Sequence, residues 1–391
     1  MLVLLLYGLV RATPDLQRFD HAFLTFLFSW LLWSPLTWYF HTWSITLERL
    51  IPEAALLGGA WLSLGRLGLM RKAAGFAALA AAGQYSFPGG IVLWPLLGLL
   101  FLREAIQQRA FLALLAYSVS FALSTILFFT GYQHPPHHQP LSAIFEQSPA
   151  QIVSFFLIVL GLPFADGPYV AAFLGGANLC LYALGIRRVW RCKQNDAVSW
   201  AWTVIGGYAL SQALLATVGR LPMGMGHALR PDYITYGIYL LIAGSVLMRR
   251  ALLASGADRS SHLVLIAGGA TLGMAFLHAP SALKQMHARY HRLRADISCL
   301  QLMLAFPGER CPIAFYPDPE LVLSRARSAH ALGVLQFPPV TVIARTDDSL
   351  GFVDHHEPSP EGGPLQTPSF LLKTGGTDYQ RSCRREKLGR T

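Results

Sequence analysis

Between two long apolar runs lies the stretch Gly219-Arg220-Leu221-Pro222-Met223-Gly224-Met225-Gly226-His227-Ala228-Leu229-Arg230-Pro231-Asp232-Tyr233. It gathers two arginines, a histidine, an aspartate and a tyrosine into one Gly-rich turn. A guanidinium presents a planar fork matched to phosphate or carboxylate oxygens. Glycine lets backbone approach a ligand closely. At a membrane face, such a turn suits a lipid-linked phosphate held at headgroup level, with Arg220 and Arg230 as the anion-binding groups and Tyr233 shaping the site. The competing reading is structural: the two arginines snorkel from helix ends to the headgroups and bind nothing in particular.

Other chemistry-bearing residues are sparser. His134, His137 and His138 sit among Pro135, Pro136 and Pro140. Neighbouring histidines on a stiff Pro-rich loop are poorly placed to share one ion, and no carboxylate stands at helical spacing, so no metal is expected. Asp166 falls in Pro163-Phe164-Ala165-Asp166-Gly167-Pro168, where Asp is an ordinary turn residue. Glu104 stands beside Arg103 and is expected to pair at a helix end. Asn178 and Gln212 lie within apolar runs and are expected to bond neighbouring helices. The cysteines are Cys180, Cys192, Cys299, Cys311 and Cys383, with no CxxC pair. A Cys299–Cys311 disulfide on an oxidising side and unpaired thiols are both open. There is no P-loop, no dinucleotide-binding glycine fingerprint after a strand, no GxSxG and no HExxH, and no cofactor is expected.

The elements that must position these groups are apolar segments at about 21–41, 52–70, 73–87, 89–102, 110–131, 151–164, 168–186, 198–218, 233–248 and 262–279. Spanning ~30 Å of hydrocarbon takes ~20 residues, so the short ones must be paired, broken or re-entrant. Trp30, Trp33, Trp38, Tyr39 and Trp43 read as an interfacial aromatic belt. Met1–Val10 is apolar, lacks the features of a secretion signal, and looks like the tail of a longer helix.

Composition agrees. Of 391 residues, 53% are hydrophobic and 13% charged, and the mean hydropathy is +0.41. A soluble domain carries about 25% charge. The net charge of +10 comes from basic residues between apolar runs, which the positive-inside rule explains without nucleic acid. By that rule the loop with Arg187, Arg188, Arg191 and Lys193, and the one with Arg249, Arg250 and Arg259, are cytoplasmic. The turn 219–232 and the C-terminal region are then external. Arg71, Lys72, Arg103 and Arg109 imply a hairpin at 73–102 broken at Ser86-Phe87-Pro88-Gly89-Gly90. In that case 151–186 crosses only once and 151–164 is re-entrant; otherwise 73–102 is one kinked span.

The expected fold is all-α and multi-pass, with about nine or ten membrane segments in residues 1–280. A small mixed α/β extramembrane region follows at 281–353, then a disordered tail at 354–391. Within it, 281–303 has a weak helical pattern, and Val340-Thr341-Val342-Ile343-Ala344 reads as a strand.

The order of features resembles uncharacterised bacterial polytopic proteins similar to GT-C glycosyltransferases, which use polyprenyl-phosphate sugars. The likeness rests on Tyr85-Ser86-Phe87-Pro88-Gly89-Gly90 through Trp94-Pro95, Gly161-Leu162-Pro163-Phe164, Gly219-Arg220 and Arg230-Pro231-Asp232-Tyr233-Ile234-Thr235. It continues with Leu300, Tyr316-Pro317-Asp318-Pro319 and Ala331-Leu332-Gly333. The resemblance implies an inner-membrane protein whose partner is a lipid-linked sugar. It also implies that the acidic catalytic loop, which the family carries near its N-terminus, has no counterpart here, as in a truncated or inactive relative. A transporter or lipid flippase built on the broken helix, and a non-catalytic scaffold, are the rival classes.

Overall fold

The computed structural model describes residues 1–34, 37, 47–130, 140–165, 167–192, 196–256, 258–305, 319–332, 341–344 and 350–353. The chain forms two compact units, Met1–Lys284 and Gln285–Thr391. The helices are α1 (Leu2–Arg11), α2 (Arg18–Trp33), α3 (Leu47–Leu64), α4 (Leu69–Ser86), α5 (Leu93–Gln107) and α6 (Phe111–Phe129). They continue as α7 (Pro149–Gly161), α8 (Pro168–Arg191), α9 (Ala197–Arg220), α10 (Ile234–Ala254), α11 (Asp258–Ala305) and α12 (Pro319–Ala331). Each apolar run in the sequence thus holds a helix. Among the described residues, five helical stretches are long and apolar enough to cross a membrane: Pro88–Gln107, Phe111–Phe129, Pro168–Arg191, Ala197–Met223 and Pro231–Ala254. This is an all-α architecture of multi-pass character.

Polar contacts between spans fix their directions. Lys72 Nζ donates to Glu104 Oε2 at 2.7 Å, and Trp94 Nε1 donates to Gln84 Oε1 at 2.6 Å. Lys72 and Gln84 are successive on α4, while their partners run in reverse on α5, so 73–102 is an antiparallel hairpin and not one kinked span. The break is a 3-10 turn at Pro88–Val92. Proline supplies no N–H to continue α4, and Gly90 packs against its carbonyls. A Cβ at Gly90 would sit 2.0 Å from the Gly83 oxygen. The partner of Glu104 is therefore the buried Lys72, on a neighbouring helix, where the sequence suggested the adjacent Arg103.

α6 returns antiparallel to α5, with Tyr117 OH donating to the Trp94 carbonyl at 2.6 Å and Ser124 Oγ to Gln84 Oε1 at 3.0 Å. α8 lies parallel to α10: Asn178 Nδ2 donates to the Gly237 carbonyl at 2.9 Å, and farther along Cys192 Sγ meets the Ala251 carbonyl at 3.9 Å. The chain between α6 and α8 thus begins and ends on the same side. α7 lies within it and has 13 residues, about 20 Å at 1.5 Å each, which is short of the hydrocarbon thickness. It pairs antiparallel with α8 by close contact. A Cβ on Gly161 would lie 1.8 Å from the Ala171 oxygen, and one on Gly175 would lie 1.9 Å from that of Leu157. Small residues of this kind let membrane helices approach backbone to backbone. α7 is thus one arm of a tight antiparallel pair with α8, and the stretch Pro149–Phe164 is shorter than the helices long enough to cross a membrane.

α10 is buried along almost its whole length, packed against α7, α8 and α9. α6 is the opposite case: Leu112, Leu115, Val119, Leu123 and Ile126 are all exposed, as a lipid-facing surface requires. The expected basic loops need correcting: Arg187, Arg188 and Arg191 lie in the last turns of α8, exposed. Arg249 and Arg250 do not belong to a loop; they lie in α10 and are buried. Arg249 makes a two-pronged pair with Asp20 (Nε to Oδ1 and Nη2 to Oδ2, both 3.1 Å). Arg250 reaches Asp196 at 2.8 Å and Asp15 at 3.2 Å. A buried charge is tolerated only when so paired. These arginines tie α2 and the short loops before α2 and α9 to α10.

Residues 262–279 and 281–303, which differ in pattern, belong to one helix, α11, with Pro280 inside it. Beyond it are α12 and two short antiparallel strands, β1 (Thr341–Ala344) and β2 (Leu350–Val353), with Thr341 opposite Val353 and Ala344 opposite Leu350. Trp30 stacks on Phe276 with ring centroids 4.1 Å apart, and Trp33 is exposed; Trp38, Tyr39 and Trp43 lie outside the described residues. So do His134, His137, His138, Asp166, the tail from 354 and the Cys299–Cys311 pairing. Cys180 and Cys192 are free thiols.

Candidate functional site

The turn between α9 and α10 is built from three successive 3-10 segments, Leu221–Met223, Met225–Leu229 and Pro231–Tyr233. Proline opens the first and third. Gly224 between the first two has φ 113°, a conformation that glycine adopts freely and other residues resist. This punctuation keeps the segment from continuing either helix, and it holds Arg220, His227 and Arg230 around one spot.

Asp232 is the organising residue. It is 1% exposed, yet it accepts from Arg230 Nε at 3.0 Å through one oxygen and from Arg49 Nη1 at 3.1 Å through the other. Arg49 also donates to the Asp232 backbone carbonyl and lies over the Phe87 ring, 4.9 Å from its centroid. That stacking brings the 86–92 break into the same group. Gln212 of α9 donates to the Gly89 carbonyl at 2.7 Å and fastens the break there. Tyr233 is buried and stacks on Tyr236, rings 6.1 Å apart. It forms part of the floor and is not a group offered to solvent. Arg220 packs its guanidinium on Met223 Sδ at 3.5 Å.

His227 is half-buried, and its Nδ1 has no protein partner. Burial, and then the positive charges of Arg230 and Arg220, hold its imidazole below the usual protonation range, with Asp232 opposing.

One turn below Arg49 on α3, Glu53 is buried, and its Oε2 accepts from Tyr239 OH at 3.2 Å. Arg49, Glu53, Phe87, Tyr208, Thr235 and Tyr236 line a narrow cleft beside the Asp232 cluster. The sequence reading named Arg220, Arg230 and Tyr233 and noted His227 and Asp232, all of which the fold keeps near one another. It passed over Arg49 and Glu53. The signal was present: an acid and a base four residues apart, in Glu48-Arg49-Leu50-Ile51-Pro52-Glu53, at the start of an apolar helix. Among the described residues no group of three or more His, Cys, Asp or Glu side chains is placed to hold a metal ion.

Compared with family models, with curated proteins and with solved structures, the chain matches none.

Proposed function

We propose that the α9–α10 turn is a binding site for the phosphate of a membrane lipid, in a protein that resembles lipid-linked sugar transferases. The observation that carries this reading is the pair of guanidinium groups, those of Arg49 and Arg230, held on the single carboxylate of Asp232, with Arg220 near enough to act on the neighbouring His227. Asp232 neutralises one charge and orients two of the forks, leaving an excess of positive charge at the level where two spans end. An anion with several oxygens supplies the complement. His227 adds a donor when protonated. Glu53 sets a carboxyl in the cleft below, the kind of intramembrane acid that marks functional sites.

On this reading the ligand is a polyprenyl phosphate or its sugar-bearing form. The protein resides in a bacterial-type inner membrane, with the turn and the C-terminal region on the external face. Its activity as a transferase is a further step that the resemblance motivates. The test is binding of a polyprenyl phosphate to purified protein and to the Arg220→Gln/Arg230→Gln double variant. Each charged hydrogen bond lost is worth roughly 1.5–3 kcal/mol, so affinity should fall by about a hundredfold or more. Unchanged affinity in a folded double variant overturns the assignment.

A further inference from the structure

Residues four apart on a helix lie on one face, one turn from each other, so two histidines at that spacing bring their imidazoles to one point. α11 carries such a pair in His287-Ala288-Arg289-Tyr290-His291, within the Gln285–Thr391 unit. Both side chains are exposed. Their Nε2 atoms stand 3.0 Å apart. The ring centroids are 4.4 Å apart, with the ring planes at 83°. Tyr290 meets the His291 ring edge-on at 5.6 Å, and the Arg294 guanidinium lies 5.7 Å from the Tyr290 centroid. His291 is thus packed on one side and turned toward His287 on the other.

The separation of the two nitrogens is the informative quantity. An imidazole nitrogen binds a zinc ion at about 2.0–2.1 Å. Two such bonds put the nitrogens roughly 2.9 Å apart at a right angle and roughly 3.3 Å apart at the tetrahedral angle. The observed 3.0 Å falls inside that window. The same distance suits one hydrogen bond, with one Nε2–H donating to the other nitrogen. Between exposed rings that bond gains little, because water serves each nitrogen about as well. An ion that ligates both nitrogens gains a bond from each.

The donor set also selects the ion. Calcium and magnesium take oxygen ligands, whereas imidazole suits zinc, copper and nickel. The segment is basic, with Arg289, Arg292 and Arg294 close in sequence, so an ion is held here by bonds to nitrogen and not by charge. Among the described residues no third His, Cys, Asp or Glu side chain completes a set. The remaining positions on the ion therefore go to water or to an incoming ligand.

We infer that His287 and His291 form a two-imidazole site for a divalent first-row transition ion on the exposed face of α11. The ion clamps one turn of the helix and keeps coordination positions open. The site shares no residue with the α9–α10 turn and stands independently of the reading given to that turn.

The probe is Cu²⁺, which binds nitrogen sites most tightly among these ions, so its failure to bind is decisive. The experiment uses the full-length chain without an affinity tag. His134, His137, His138, His355 and His356 are replaced by Gln, so that the other His-rich stretches do not compete. With Cu²⁺ below one equivalent, pulsed electron paramagnetic resonance counts the coordinated imidazoles, and titration against a chelator reads the affinity. Two imidazoles are expected in this parent. His287→Ala and His291→Ala should each leave at most one and weaken binding about a hundredfold, because the second bond forms within one molecule. Alanine is the best helix former and both positions are exposed, so α11 is retained. His291→Ala with Arg292→His keeps two histidines but turns the second off the shared face, and it should not restore the affinity. Fewer than two imidazoles in the parent, unchanged affinity in either single variant, or full recovery in the shifted pair overturns the proposal.

Discussion

His227 is the residue whose protonation the site controls. Without ligand, its burial and the neighbouring Arg230 and Arg220 keep its pKa below the ordinary 6.5. A phosphate bound between those arginines reverses the local potential and raises it. Linkage then requires the ligand to bind the protonated form more tightly, so His227 should favour binding increasingly as pH falls through 6.5. A shift of one pKa unit corresponds to up to about tenfold in affinity. The phosphate itself titrates near pH 6, so the measurement is the difference between wild type and His227→Ala across about pH 5.5 to 7.5. A pH dependence identical in both excludes His227 from the site. Asp20 and Arg249 present the complementary case of charges with no ligand role. Both are essentially unexposed and joined by two bonds. Asp20→Asn strands a buried guanidinium and should cost roughly 3–5 kcal/mol of stability, while Asp20→Leu with Arg249→Leu should cost far less. Unfolding of detergent-solubilised variants by titration with denaturant reads both.

At the scale of elements, α7 and α8 meet through glycine and not through large side chains. Gly161→Ala forces a methyl group onto the Ala171 carbonyl, and the helices must part. A loss of about 1–3 kcal/mol is expected. Gly176, on α8, has nothing within 4 Å of its would-be Cβ. Gly176→Ala should therefore leave stability unchanged or raise it by up to about 1 kcal/mol through helix propensity alone. Equal effects in the two variants would mean that the close approach is absent. Much of this layer was legible beforehand. The apolar runs marked the helices, and Pro88-Gly89-Gly90 marked the break, because both follow from local hydrogen bonding and local burial. The direction of α5 relative to α4 was not legible, because a break alone is compatible with a kink or a reversal. Only the successive pairs Lys72–Glu104 and Gln84–Trp94 distinguish them.

Across the whole Met1–Lys284 unit, charged residues cluster at two opposite ends. The Asp232 cluster occupies one, and Lys72–Glu104 with the Arg250 cluster occupies the other. A cysteine placed at Met225 and one placed at Ser255, each in a cysteine-free background, should react with an impermeant maleimide from opposite faces of a sealed vesicle. Labelling of both from one face would contradict the direction of α10. The positive-inside count drew on Arg249 and Arg250, which the fold removes from the loop and neutralises with Asp20, Asp15 and Asp196. The orientation therefore rests on Arg187, Arg188 and Arg191 at the end of α8 and on Lys193 after it, and the labelling experiment measures it directly.

By itself the amino-acid sequence determined that this chain is a set of apolar helices, and that the Arg220–Tyr233 turn is its densest chemistry. Hydropathy, proline and glycine act over a few residues, and these features need nothing more. The tertiary structure decided which charges meet. Arg49 and Asp232 are 183 positions apart, and Asp20 and Arg249 are 229 apart. No local rule pairs groups so distant. They come together because a charge left alone in an apolar bundle is costly, and the helices pack in the arrangement that leaves few alone.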